Sequence, residues 1–352
     1  MIILTIKCDG KFHAGPKAPE DIIKILEKEY NAKNKFLYQA TNPISKMIYR
    51  IKLFGHIVSA RIKNEVFVMQ FPMYETSKLL NALFMFDLKF INKNKTIALI
   101  HDLGGLRDDS ESLKQQDISR LKKFKYIIAH NSIMKKYLIE NGIDEKNVYV
   151  LELFDYLCNE NKPQTNVKEI EGLPTVAYAG NLVLSKSPFI YQVEEDKLNF
   201  KFNLYGVGVD EGKLNSKFKY CGKFPPDELP NNIKSDLGLI WDGNFDESDE
   251  NIHMKQYTKY NNPHKLSCYM AAGIPVIVWR KSAISNFVNK YNVGYTISDI
   301  YDINTLDLSD YKEKSENVQK ITNKVREGYY IKNVMDEIIN NIKKRGKQNE
   351  KI

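Results

Sequence analysis

Residues 261–277, NNPHKLSCYMAAGIPVI, set two asparagines, a proline, a histidine and a lysine directly before a short apolar run and an Ala-Gly-Ile-Pro turn. Pro263 suits the first position of a helix, where its missing N–H is no loss, and Asn262 suits the cap before it. The helix would then open with the N–H groups of His264 and Lys265 unpaired. Such an end attracts an anion through its hydrogen bonds and the helix field, an effect of about 0.3 to 1 kcal/mol when exposed. Lys265 adds a mobile positive charge. Asn261, Asn262, His264 and Lys265 are therefore candidates for holding a charged ligand; the plainer reading is that Asn-Pro starts a helix and Lys265 faces water.

Residues 178–187, YAGNLVLSKS, place Gly180 and Asn181 just past a strand, at the carboxyl edge where open α/β sheets bind ligands. Gly180 would let backbone approach a phosphate, and Lys186 could reach it. Neither a Walker-type GxxxxGK[ST] run nor GxGxxG occurs. Tyr205, in Tyr205-Gly206-Val207-Gly208, opens either a loop under a nucleotide or an ordinary β-to-α turn. Trp241 ends another strand and could face a base or sugar ring, the alternative being core packing. Asp242 after it could meet sugar hydroxyls or organise the turn.

In the first half, ALIHDLGGLRDD (98–109) is the sharpest polar cluster. A strand running into His101 and Asp102, then Gly104, Gly105 and Arg107, presents a base, a charge partner and a glycine loop. A reaction that deprotonates a hydroxyl needs a carboxylate or imidazole within about 3 Å of it. The competing reading has Asp102 capping the next element and His101 buried and bonded. The loop over 8–22 adds His13 as a third candidate base.

Positioning such groups requires a regular scaffold, and the pattern supplies one. Strand-like runs at 2–7, 65–71, 95–102, 126–130 and 148–153 alternate with helix-like runs at 18–30, 76–90 and 132–142, and a further strand-like segment surrounds Ile57. After a polar linker at 158–174 the alternation resumes with short apolar strands at 175–180, 202–206, 218–222, 237–241, 275–279 and 293–297. This is an α/β chain whose sheets are buried on both faces. Residues 308–342 read as one long helix or a broken pair with a single buried stripe.

With 352 residues the chain is long enough for two cores. Four widely spaced cysteines without a CxxC pair favour neither a zinc cluster nor a disulfide scaffold, and a reducing cytoplasm fits. No apolar run approaches a membrane span. A formal charge of +8 permits anionic partners, but lysine is spread along the chain and nothing organises base reading, so nucleic acid is not expected. The acidic run DESDE (246–250) reads as a solvated loop rather than metal ligands.

The whole chain resembles bacterial GT-B glycosyltransferases of the glucosyltransferase 3 group, which overlaps families labelled galactofuranosyltransferase. HDLGGLRDD (101–109), HNSIMKKYL (130–138), YAGNL (178–182) and above all YNNPHKLSCYMAAGIPVI (260–277) carry the resemblance. It implies two Rossmann-like domains facing a central cleft. The N-terminal one, 1–158, would bind the acceptor and the C-terminal one, 170–307, a sugar nucleotide. Helices over 308–342 would cross back toward the first domain, leaving a basic tail at 343–352. It further implies metal-independent transfer of glucose, galactose or galactofuranose from a UDP-sugar, a co-substrate rather than a cofactor, to a glycan on protein or lipid. Asn262 and Lys265 would lie around the diphosphate, Gly180 and Asn181 near it, and Tyr205 and Trp241 by the nucleoside or sugar. The chain lacks the glutamate that general retaining members carry eight residues before the Ala-Ala-Gly turn, so ribose must be met otherwise. A homo-oligomer is expected, in the cytoplasm, with peripheral contact at the inner membrane surface left open. An epimerase or hydrolase on the same fold, or a non-catalytic transferase partner, are the competing readings.

Overall fold

A computed structural model of the chain describes residues 1–7, 15–38, 42–72, 86, 91–159, 170, 172–242 and 256–349. His13, most of the helix expected at 76–90, most of the linker and the acidic run at 246–250 lie outside the described residues. Two compact units emerge: Met1–Gly10, Ala18–Glu152 and Tyr330–Ile352 form the first, and Lys11–Lys17 with Leu153–Tyr329 the second.

The first unit is built on β1 (Ile2–Lys7), β2 (Lys33–Tyr38), β3 (Phe67–Phe71), β4 (Thr96–Ile100), β5 (Tyr126–Ala129) and β6 (Val148–Val150), paired parallel in the order β2-β1-β3-β4-β5-β6. Crossovers include α1 (Lys17–Tyr30), α2 (Pro43–Ile62), α3 (Glu111–Leu121) and α4 (Ser132–Glu140). Helix α4 starts as its sequence dictates, with Asn131 Oδ1 accepting from Met134 N at 2.9 Å, and Gly142 follows it at φ 82°. The segment around Ile57 is not a strand. It lies within α2, whose Tyr49, Leu53, Ile57 and Ala60 form a buried helical stripe.

The second unit repeats the plan with β7 (Thr175–Asn181), β8 (Lys201–Val207), β9 (Phe218–Tyr220), β10 (Leu237–Ile240), β11 (Val276–Trp279) and β12 (Gly294–Ile297), parallel in the order β12-β11-β10-β7-β8-β9. That is the doubly wound Rossmann order, with its switch point between β7 and β10. Its longer helices are α5 (His264–Ala272), α6 (Ile284–Tyr291) and α7 (Tyr311–Glu327). Helix α7 closes the carboxyl end of α5: Thr322 Oγ1 donates to Met270 O at 2.9 Å, which also accepts from Gly273 N, and Arg326 Nε donates to Ala271 O at 2.7 Å.

The region over 308–342 is a pair of helices. Gly328, in the left-handed region at φ 84°, ends α7, and α8 (Tyr329–Asn349) follows. Helix α7 stays with the second unit, whereas from Tyr330 onward α8 belongs to the first. There its Ile331, Val334, Met335 and Ile338 are buried, and Asp336 Oδ1 accepts from Tyr30 Oη at 2.8 Å. Among the described residues no helix is long and apolar enough to cross a membrane.

Candidate active site

In the second unit the switch point is held open by one tyrosine. Strands β7 and β10 pair only at Leu237 with Val176 and Gly238 with Ala177. Beyond that the Tyr269 hydroxyl takes over, accepting from Ala179 N at 2.9 Å and lying 3.1 and 3.2 Å from the Ala177 and Leu239 carbonyls. Gly238 makes room for it, since a Cβ there would stand 2.5 Å from the tyrosine ring. One helical turn earlier on the same face of α5 stands Lys265.

Lys265 reaches the gap between the strand ends. Its Nζ lies 3.1 Å from Asp242 Oδ1, 3.2 Å from Tyr178 Oη and 3.4 Å from Trp241 O, and 4.5 Å from the centre of the Tyr178 ring. Burial works against this charge, but the Asp242 carboxylate and Tyr178 outweigh it, so the ammonium is held above the ordinary lysine range. Gly180 is required beside it: φ is +151° and a Cβ would meet Lys265 Cε at 3.2 Å. Tyr178 was not singled out in the sequence, although the two-residue period of a strand puts it on the same face as Gly180.

Helix α5 begins one residue later than expected. Pro263 is the N-cap, at ψ 135°, with no side-chain cap bond, and Asn262 precedes it as a buried residue. Asn262 therefore does not cap the helix. Two buried polar atoms at this start have no hydrogen-bond partner, Asn261 Oδ1 and His264 Nε2. The His264 ring stacks on Tyr156 at 4.9 Å, and burial followed by the charge of Lys17 pushes its pKa down to about 3, so it is neutral at physiological pH.

The remaining second-unit candidates are placed differently. Asn181, the last residue of β7, and Lys186, on the turn after it, are exposed, and Asn181 Oδ1 accepts from Val183 N at 3.1 Å. Tyr205 is buried with its hydroxyl committed to Lys234 N at 2.9 Å, which gives it a packing role in this fold. The Trp241 indole is 3% exposed and joins the core; what Trp241 offers Lys265 is its carbonyl. Trp241, Asp242, Thr258, Pro263, Trp279 and Ser282 nevertheless line one depression beside the ammonium.

The first unit has its own switch point, between β1 and β3, and a polar chain runs from it. Gln70 Nε2, at the end of β3, donates to Thr5 Oγ1 at 2.8 Å and to the Pro19 carbonyl at 3.1 Å. A carbonyl can only accept, so the amide orientation is fixed and Gln70 Oε1 is the atom 2.6 Å from His101 Nε2. That nitrogen must carry a proton, which leaves Nδ1 as the basic nitrogen of the neutral ring. Gln70 escaped the sequence reading; a lone amide at the carboxyl end of an apolar strand was its signal. Asp102 is ion-paired with Arg107, whose Nε also donates to Asp108 at 2.8 Å. Gly104–Arg107 is a helical turn and not an open loop, with Gly105 N bonded to Asp117 Oδ2 at 3.0 Å.

Behind this cluster His130 is buried, its Nε2 3.0 Å from Ile100 O, and burial pushes its pKa from 6.5 down to about 4. The unfolded chain therefore binds one more proton than the folded chain between those values. Stability is full above pH 6.5 and is lost as pH falls toward 4, by about 2 kcal/mol at pH 5 for this residue. Thermal melts at pH 7 and pH 5 should show the drop, and His130→Gln should flatten it; an equal pH slope in the variant would remove the assignment.

Comparison with known proteins bears on the same regions. The glucosyltransferase 3-like N-terminal domain matches residues 1–153 and its C-terminal domain residues 176–338. The chain belongs to the glucosyltransferase 3-like family. It is accordingly a glycosyltransferase, and both switch-point clusters fall inside the matched family domains. The chain is 31% identical over 339 residues to beta-1,6-galactofuranosyltransferase WbbI of Escherichia coli (strain K12), covering 94% of this chain and 96% of WbbI. It is 24% identical to glucosyltransferase 3 of Streptococcus gordonii, covering 71% of this chain and 74% of that one. Among solved structures, HepE of Anabaena, in complex with UDP and glucose, matches with a TM-score of 0.62 at 13% identity, over 97% of this chain and all (100%) of HepE. The lipopolysaccharide outer core galactosyltransferase WaaB matches with 0.60, also at 13% identity, over 96% of this chain and 99% of WaaB. These likenesses establish the fold of this family member as GT-B.

Proposed function

We propose that the chain transfers a hexosyl group from a UDP-sugar to a hydroxyl of an acceptor glycan, on a glycoprotein or a lipid-linked saccharide, without a bound metal. The observation that carries the reading is Lys265, a charged ammonium set at the β7–β10 switch point beside Gly180 and the uncapped start of α5. A departing nucleoside diphosphate needs positive charge and N–H donors, and this arrangement offers both without a cation. Asn261 Oδ1 and His264 Nε2 are buried polar atoms that a ligand would satisfy. Asp242, which lines the adjoining depression and faces Lys265, would meet sugar hydroxyls on its remaining oxygen. That HepE is solved with UDP and glucose supports the nucleotide, and the names of WbbI and glucosyltransferase 3 support a hexose.

The first unit would supply the acceptor side. With Nε2 tied to Gln70, His101 is the proposed proton acceptor, and Asp102 the residue that holds Arg107. A cytoplasmic site of action is part of the same proposal. A thermal-shift panel of UDP, ADP and GDP, run with EDTA, tests the donor assignment. UDP should raise the melting temperature and the purine nucleotides should not; selective stabilisation by ADP or GDP, or a UDP shift abolished by EDTA, would refute it. Product assays with UDP-glucose, UDP-galactose and UDP-galactofuranose would then identify the sugar.

A further inference from the structure

Helix α2 is apolar on two faces. Tyr49, Leu53, Ile57 and Ala60 face the first unit's core. On the opposite side, at helical spacing, Ile44 (69% exposed), Met47, Ile48, Ile51 (64%), Phe54 and Ile62 (77%) form an outward stripe about five turns long. A helix that is hydrophobic all round is normally buried, and most of the large exposed hydrophobic residues of the described chain are gathered on this one.

The charges around the stripe are of one sign. Within 43–62 stand Lys46, Arg50, Lys52 and Arg61, and no aspartate or glutamate. On the helical wheel Lys52 flanks one side of the stripe and Arg50 and Arg61 the other, and the Arg50 guanidinium covers the Phe54 ring at 5.5 Å. Lys35 of β2 adds to the same field: after burial, the charges of Lys35 and Lys52 are what hold the nearby His56 below its ordinary range.

We infer that the outer face of α2 is a docking surface for an anionic lipid bilayer. An apolar stripe bordered by basic side chains is what an interfacial helix needs: the hydrocarbon enters the acyl boundary while lysine and arginine meet lipid phosphates. The absence of acidic residues decides against the obvious protein occupant, a second copy related by a two-fold axis, because an isologous contact would bring these cations against each other. Docking here would hold the first unit against the membrane, where a lipid-linked acceptor would be presented.

Sedimentation of the full chain with sucrose-loaded vesicles tests the proposal. The chain should pellet with vesicles containing phosphatidylglycerol and bind vesicles of phosphatidylcholine alone at least about tenfold more weakly, with added salt reducing the binding. Ile48→Glu/Ile51→Glu should lower binding about tenfold or more without changing the thermal melt, because both side chains already face outward. Lys35→Glu/Lys52→Glu, which leaves the stripe intact, should abolish the preference for phosphatidylglycerol. Equal binding to both vesicles, or unaltered binding by both variants, overturns the inference. So does a wild-type chain that ignores vesicles but forms an oligomer that Ile48→Glu/Ile51→Glu dissociates, which would make the face a contact between copies.

Discussion

Lys265→Ala should weaken UDP-sugar binding about tenfold to a hundredfold and lower turnover about 10² to 10³-fold, because on the proposed reading one charge serves both the bound diphosphate and the departing UDP. The two effects should appear together. A lysine that merely braced the strand ends would cost stability and leave donor affinity alone. Because the substitution also strands the Asp242 carboxylate, which Lys265 faces at 3.1 Å, the measurement needs Lys265→Ala/Asp242→Asn beside it. Calorimetry of donor binding and a turnover assay on both variants decide the matter. Normal affinity and normal turnover in Lys265→Ala would end the diphosphate assignment, and recovery of affinity in the double variant would trace the loss to the stranded carboxylate.

If His101 is the base, His101→Asn should leave UDP-sugar binding intact and lower turnover about 10² to 10⁴-fold, the span that general acid–base catalysis contributes. Asp102→Asn costs less, since that carboxylate is engaged by Arg107 and its loss disturbs the turn that follows β4. The two variants separate the candidates. A large loss in Asp102→Asn with a nearly active His101→Asn would give the base role to Asp102. Gln70→Leu supplies a third measurement: it frees the His101 tautomer without removing the ring, so turnover should fall and its pH profile should move while donor binding holds.

Much of the scaffold was legible because strands buried on both faces are short apolar runs between turn residues. The strand at 2–7 is β1, and the run at 237–241 is β10 with one residue to spare. What escaped detection had other patterns. Lys33, Asn34 and Lys35 open β2, an edge strand with one neighbour, so it needs no continuous apolar run and looks like a loop. Helix α2 was misread around Ile57 because apolar residues on two faces erase the single-stripe periodicity by which helices are recognised.

The candidate site divided along similar lines. Gly180, His101 and Asp102 were visible as glycine or polar residues at strand ends, and Lys265 as a cation at the start of a helix. The tyrosines and the glutamine that position them were not, since a buried Tyr178 or Tyr269 in an apolar run reads as core packing. Tyr205 and Trp241 show the converse, aromatic residues at strand ends whose side chains the fold uses for itself. Local sequence marks which groups could act; which of them converge depends on strand order, and that is set by pairings far apart in the chain.

The placement of α8 has a consequence for how the chain is made. Tyr30 and Asp336, hydrogen bonded at 2.8 Å, are separated by 306 positions, and the first unit is complete only when Tyr330–Ile352 arrives. The second unit needs nothing after Tyr329. On a ribosome adding about 5 to 20 residues per second, the β-strands of the first unit emerge early and then wait roughly 10 to 40 s, without their last helix, while the rest is translated. The usual N-terminal-first order of domain maturation is thus reversed. Over that interval the faces that bury Ile331, Val334, Met335 and Ile338 are open, which makes the nascent first unit, rather than the finished protein, the form most in need of a chaperone.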